Sequence, residues 1–92
     1  MNVIILNSFA KDVKKINNSN FNDKILNIIT ILETANRIQE IPHLKKLSGH
    51  TDSYRSRMGY FRIGINIENF NIILVWVALR KDFYRLFPFL FS

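Results

Sequence analysis

The spacing of apolar residues changes three times along this chain, and those changes restrict the fold more than any other feature. From Phe9 to Leu32 they recur every three to four positions, and from Tyr54 to Ile67 every second position. The first spacing puts one stripe along a helix, and the second puts one face on a strand. Phe9, Val13 and Ile16 form a first stripe, with Lys11, Lys14 and Lys15 outside it. Ser8 is placed to cap that helix. The run Asn17-Asn-Ser-Asn20 should break it, because short polar side chains compete for backbone hydrogen bonds. A second helix carries Phe21, Ile25, Ile28, Ile29 and Leu32 and should fade near Asn36, ahead of Pro42.

The rest reads as strands. Asn2 to Leu6 is a short β-branched run and a first strand. Leu44 to Leu47 is another, stopped at Ser48-Gly49. Tyr54 to Met58 and Phe61 to Ile67 flank Gly59-Tyr60, with the glycine where a tight hairpin needs it. Alternation sends Tyr54, Ser56, Met58, Phe61, Ile63, Ile65 and Ile67 to one face and Arg55, Arg57 and Arg62 to the other. Glu68 to Asn71 is the next turn. Ile72 to Arg80 is the longest strand, its unbroken apolar character suiting a position covered on both faces. The order is β-α-α-β-β-β-β. The expected fold is α+β, a small antiparallel sheet with a two-helix hairpin on one face.

At 92 residues the chain has material for one domain and one core. We divide it into residues 1–43 (strand and helical hairpin), 44–80 (sheet) and 81–92 (a C-terminal functional segment with an apolar tail). The absence of cysteine excludes a disulfide framework and a thiol nucleophile. No apolar run approaches the roughly 20 residues of a spanning helix, and the first strand is too short for a signal-peptide core. A cytoplasmic protein without membrane attachment is expected.

Charge supplies the first functional indication. The net charge is +6, and it is uneven. Residues 1–43 carry five basic and four acidic side chains, whereas residues 44–92 carry eight basic and three acidic. Ten of the twelve aromatics also lie at or after Tyr54. A basic, aromatic half suits a phosphate backbone or an acidic protein partner. Arg55, Arg57 and Arg62 should share a patch about 10 Å across, with Arg80 and Tyr84 at its rim if the long strand pairs beside the hairpin. Guanidinium forks donate bidentately to phosphate oxygens. A solvated basic face is the plainer alternative.

Other chemistries lack their residues. No pair of carboxylates shares a short motif, and three glycines make no phosphate loop. His43 and His50 fit metal spacing poorly and read as surface or loop histidines. No metal or cofactor is expected. A phosphate-ester enzyme of this composition would use cationic transition-state stabilisation and side-chain proton transfer.

Three segments resemble the RelE/ParE toxins of type II toxin–antitoxin systems. They are Leu44-Lys-Lys-Leu-Ser-Gly49, Tyr54-Arg-Ser-Arg-Met-Gly-Tyr-Phe-Arg-Ile63 and Leu79-Arg-Lys-Asp-Phe-Tyr-Arg-Leu-Phe-Pro88. Their order and spacing agree with the family from about Lys11 to Pro88. The resemblance implies a metal-independent endoribonuclease that cuts mRNA in the ribosomal A site, using the RNA's own 2′-hydroxyl and leaving a 2′,3′-cyclic phosphate. It implies catalytic roles for Arg57, Arg62, Arg80 and Tyr84. Arginine is no base at neutral pH, so the three arginines would stabilise the phosphorane, and Tyr84 would transfer a proton or stack on a base. Lys45, Lys46, Arg55, Trp76, Lys81 and Arg85 are the expected RNA-binding residues. For Trp76, filling the sheet surface or an antitoxin groove is the competing role.

The implied partners are a cognate acidic antitoxin, in a toxin–antitoxin hetero-oligomer, and the ribosome with its mRNA. Two alternatives from other classes stand beside the nuclease: a non-enzymatic, ParE-like inhibitor of DNA gyrase, and an inactive relative that only binds its antitoxin. Three departures from the family pattern bear on them. Phe61 replaces a tyrosine, and Leu79 stands where many relatives have histidine, removing one acid–base group. Ser56 stands where the family buries an aliphatic residue, which should weaken the core. The tail residues Phe87, Phe89, Leu90 and Phe91 would fold back over the sheet or meet a partner.

Overall fold

The structure is a computed structural model that describes residues 1–47 and 52–82, apart from the Met58 side chain. Tyr84, Arg85, His50 and the apolar tail lie outside the described residues. Among the described residues, five strands and two helices follow the expected order: β1 (Asn2–Ile5), α1 (Asn7–Ile16), α2 (Ser19–Thr34), β2 (Leu44–Lys46), β3 (Ser53–Met58), β4 (Phe61–Glu68) and β5 (Asn71–Leu79). A short 3-10 turn, Ile38–Glu40, joins the helices to β2.

Asparagines separate the helices, each by its own chemistry. Asn17 ends α1 in the left-handed region, at φ 45°, a conformation its short polar side chain tolerates. Asn18 then caps α2, its side-chain oxygen accepting from the Phe21 amide at 3.0 Å. Ser8 does not cap α1. The helix begins one residue earlier at Asn7, and the Ser8 hydroxyl donates to the Val75 carbonyl of β5.

The sheet runs β1-β5-β4-β3-β2. The four strands β2 to β5 pair antiparallel, as their alternation predicts, but β1 joins β5 in parallel, so the sheet is mixed. β4 holds the other edge of β5, which leaves one edge for β1. The direction of β1 delivers the chain at Leu6 beside the upper half of β5, where α1 replaces it as a hydrogen-bonding partner. There the Asp12 carboxylate accepts from the Val77 amide at 3.1 Å, and Ser8 binds Val75. Backbone groups that β1 no longer reaches are satisfied by two side chains from one helix face.

Both helices cover one face of the sheet. The core joins Phe9, Phe21, Ile25, Ile28 and Leu32 to Ile63, Ile65, Ile67, Ile72, Leu74 and Val77. The Phe21 and Phe61 rings meet at 4.1 Å between centroids, slightly closer than the roughly 4.5–7 Å of most aromatic pairs. The register between β4 and β5 shifts at Gly64 and Ile65, because Gly64 opposes Trp76 while Ile65 opposes Leu74. Val75 is the extra residue of this bulge, and it changes the phase of β5. Ile72 and Leu74 face the helices before it, and Val77 after it. Trp76 therefore turns to the outer face, where it packs with Leu47.

Candidate functional site

The outer face of the sheet is organised in rows set by strand register. Lys45 pairs with Arg55, Arg55 with Gly64, and Gly64 with Trp76. Two residues further along the strands, Arg57 pairs with Arg62 and Arg62 with Ala78. Directly opposed like charges on one face are unfavourable, and the sequence places two arginines in that relation.

Arg62 departs from the expected exposed patch: it is only 3% exposed. Its Nη1 donates to the carbonyls of Gly59 at 3.1 Å and Phe61 at 2.9 Å, fastening the guanidinium to the hairpin turn. Gly59 has φ 58° at the first of two turn positions, the position a type II′ hairpin gives to glycine. Arg80 follows directly on β5, and its amide donates to the Tyr60 carbonyl at 2.7 Å. The end of β5 is thereby joined to the turn that Arg62 braces.

These contacts frame a cleft of about 500 Å³ lined by Arg57, Arg62 and Arg80 together with Lys24, His43 and Tyr60. Three of the four residues expected at a catalytic centre converge here from β3, β4 and the end of β5. The fourth, Tyr84, lies outside the described residues, as does Arg85. Arg55 and Lys45 occupy the neighbouring row of the same face, and Lys81 borders a smaller hollow with Tyr60, Leu79 and Arg80. Lys46 pairs with Tyr54, so alternation turns it away from Lys45. Trp76 lies flat against Gly64: a Cβ on that glycine would fall 2.1 Å from the Trp76 Cε2. It is part of the sheet surface.

Of the lining residues not assigned to the site from the sequence, Lys24, Tyr60 and His43 carry titratable side chains. Lys24 comes from the solvent side of α2, and its Nζ is 3.9 Å from where a Cβ on Gly59 would stand. Nothing local in the sequence distinguishes it from the other helix lysines. Tyr60 is exposed at the turn, and an aromatic beside a turn glycine at the mouth of a basic cleft was the available signal. His43 immediately precedes β2, at φ 55°. Its carbonyl accepts from the Arg57 amide at 3.4 Å.

Ser56 anchors the same segment. It is buried, and its hydroxyl donates to the Pro42 carbonyl at 3.1 Å. The expected cost of a serine in the core is thus offset by a hydrogen bond that fixes the Pro42–His43 segment to β3. No carboxylate lines the cleft among the described residues. Nor do those residues group three or more His, Asp or Glu side chains as a metal site would need. Among the described residues the cleft brings together four cations, Lys24, Arg57, Arg62 and Arg80, of which Arg62 is fastened to the turn, and its chemistry is that of an anion site. No helix among the described residues is long and apolar enough to cross a membrane.

The chain is 33% identical over 89 residues to Toxin RelE3 of Methanocaldococcus jannaschii, covering 96% of this chain and all of the relative. It superposes on the crystal structure of a RelB-RelE antitoxin-toxin complex from Methanococcus jannaschii with a TM-score of 0.79 and 30% identity. That match covers 92% of this chain and 99% of the other. The toxin-antitoxin complex RelBE2 from Mycobacterium tuberculosis shares the fold, with a TM-score of 0.59 at 17% identity over 86% of this chain and 96% of that one. No protein-family profile matches the chain.

Proposed function

The chain belongs to the RelE toxin family, and on that premise we propose that it is a ribosome-dependent endoribonuclease that cuts mRNA in the A site. The observation that carries this reading is the convergence of Arg57 from β3, Arg62 from β4 and Arg80 from just after β5 on one cleft. In the proposed reaction the 2′-oxygen attacks the adjacent phosphorus, the bond to the 5′-oxygen breaks, and the 2′-proton passes to a base. The leaving oxygen takes up a proton. The products are a 2′,3′-cyclic phosphate and a 5′-hydroxyl end.

Negative charge builds on the equatorial oxygens of the phosphorane. Arginines already held in place stabilise it without reorganising during the reaction. Arg62 suits this role because its guanidinium is fastened to the turn. Arg57 and Arg80 are exposed and free to meet phosphate oxygens from the cleft walls. Lys45 and Arg55 would track the flanking backbone, and Tyr84 and Arg85 complete the proposed set from the segment that follows Arg80. Tyr60 adds an exposed ring on which a base can stack.

The cognate partner in this reading is an acidic antitoxin, consistent with the net charge of +6. It would neutralise the toxin by covering Arg55, Arg57 and the cleft, or by displacing the Tyr84 segment, within a cytoplasmic toxin–antitoxin complex. The direct experiment incubates purified protein with ribosomes programmed with a defined message and maps ends by primer extension. Cuts within the A-site codon, absent on naked RNA and reduced at least about 100-fold by Arg80→Ala, are expected. Absence of cutting at protein excess would refute the nuclease reading. Trapped gyrase and double-strand breaks in expressing cells would favour a gyrase inhibitor instead.

A further inference from the structure

We infer that His43 is the general base that removes the 2′-hydroxyl proton, an inference that rests on the nuclease reading. The cleft is rich in positive charge but poor in proton acceptors. Arginine and lysine are protonated near neutrality, tyrosine is neutral there, and no carboxylate lines the cleft among the described residues. Histidine is the side chain that exchanges protons between about pH 5 and 8. His43 lines this cleft. Leu79, where many family members have histidine, cannot take that part.

The position of His43 is specified, not incidental. The register that pairs Leu44 with Ser56 places His43 opposite Arg57, and Arg57 pairs in turn with Arg62. His43 therefore ends the row that holds the two arginines, one strand spacing of about 4.8 Å from Arg57. Two hydrogen bonds from β3 hold it: Ser56 Oγ to the Pro42 carbonyl, and the Arg57 amide to the His43 carbonyl. The other residues with positive φ among those described are Asn17, Asn69 and Gly59, types that turns select. His43 is held in the same region at the cleft itself, and non-glycine residues held there gather at functional sites.

In the step proposed, a neutral ring nitrogen of His43 accepts the 2′-hydroxyl proton as the 2′-oxygen–phosphorus bond forms. The imidazolium then returns its proton to solvent. Charged and titratable groups on each wall would modulate this: Lys24 from α2, Arg57 from β3, Arg62 from β4, Tyr60 from the turn and Arg80 after β5.

The test measures single-turnover cleavage on programmed ribosomes from pH 5 to 9 for the unmodified protein, His43→Asn and His43→Gly. Both replacements accept a positive φ, so folding is preserved. The unmodified protein should show a rate that rises with unit slope through the range where histidine titrates. Both variants should be slower by about 100-fold or more and lose that slope. Added imidazole should restore part of the His43→Gly rate, and binding to ribosomes carrying a 2′-deoxy nucleotide at the cut site should be unchanged. Variants that cut at the unmodified rate, or slow variants that keep the slope and ignore imidazole, would overturn the assignment while leaving the nuclease reading intact. Absence of cutting by the unmodified protein would overturn both.

Discussion

Replacing Gly64 by alanine tests the packing of the outer sheet face in a single methyl group. An ideal Cβ at this position would stand 2.1 Å from Trp76 Cε2, 2.2 Å from Nε1 and 2.6 Å from Cδ2. Ordinary carbon–carbon contact lies near 3.5 Å, so the indole must withdraw by about 1.4 Å. It has nowhere easy to go, because Leu47 packs in the same cluster and the three close atoms belong to the body of the ring. Overpacking of this kind costs about 1–3 kcal/mol. Alanine would otherwise gain about 0.5–1 kcal/mol over glycine in a strand. The net expectation is a loss of up to about 2.5 kcal/mol, with a midpoint near 1.2 kcal/mol that corresponds to a fall in Tm of about 5–10 °C for a domain of this size. Thermal and urea unfolding of Gly64→Ala, Trp76→Ala and the double variant separate the causes. In the Trp76→Ala background the added methyl should be neutral or stabilising, since the clash is gone. A Gly64→Ala protein as stable as the unmodified one, or a penalty that persists without the indole, would refute this account of why glycine stands there.

Asp12→Ala removes the acceptor of the Val77 amide and should cost about 1–3 kcal/mol by urea unfolding, because the bulged edge of β5 loses its partner. Glu40 accepts from the amides of Asn36 at 2.6 Å and Arg37 at 2.8 Å, and these hydrogen bonds hold its carboxyl below the usual carboxylate range. Its contribution is therefore present above the unfolded-state pKa and lost as pH falls through the lower folded-state value. Urea midpoints between pH 3 and 6 should show Glu40→Gln less stable at pH 6 and converging with the unmodified protein in acid.

Much of this fold was legible because its signals are local. A helical stripe such as Phe21, Ile25, Ile28 and Leu32, or the alternation around Gly59, depends on residues a few positions apart, and burial follows from their spacing alone. The same locality made Arg57 and Arg62 neighbours before any coordinates: a two-residue turn fixes the register of its own hairpin. Arg80 followed with one added assumption, that the long strand pairs beside that hairpin.

What escaped the sequence depends on contacts between distant segments. The parallel pairing of β1 arises from which sheet edge remained open and from Ser8 and Asp12 reaching across to β5. The bulge at Val75 arises from fitting β5 against β4, and it decides that Val77 enters the core while Trp76 lies over Gly64. Arg62 reads as an exposed strand residue but is buried, with its guanidinium bound to the carbonyls of the adjoining turn. Lys24 and His43 enter the cleft only once α2 and the segment before β2 pack beside the hairpin. The sequence by itself determined the elements, the buried face and the arginine pair, since periodicity is written within a few residues. Tertiary structure alone decided the strand directions, the phase of β5 and the walls of the cleft, since these are settled by register and packing between segments that no local pattern connects.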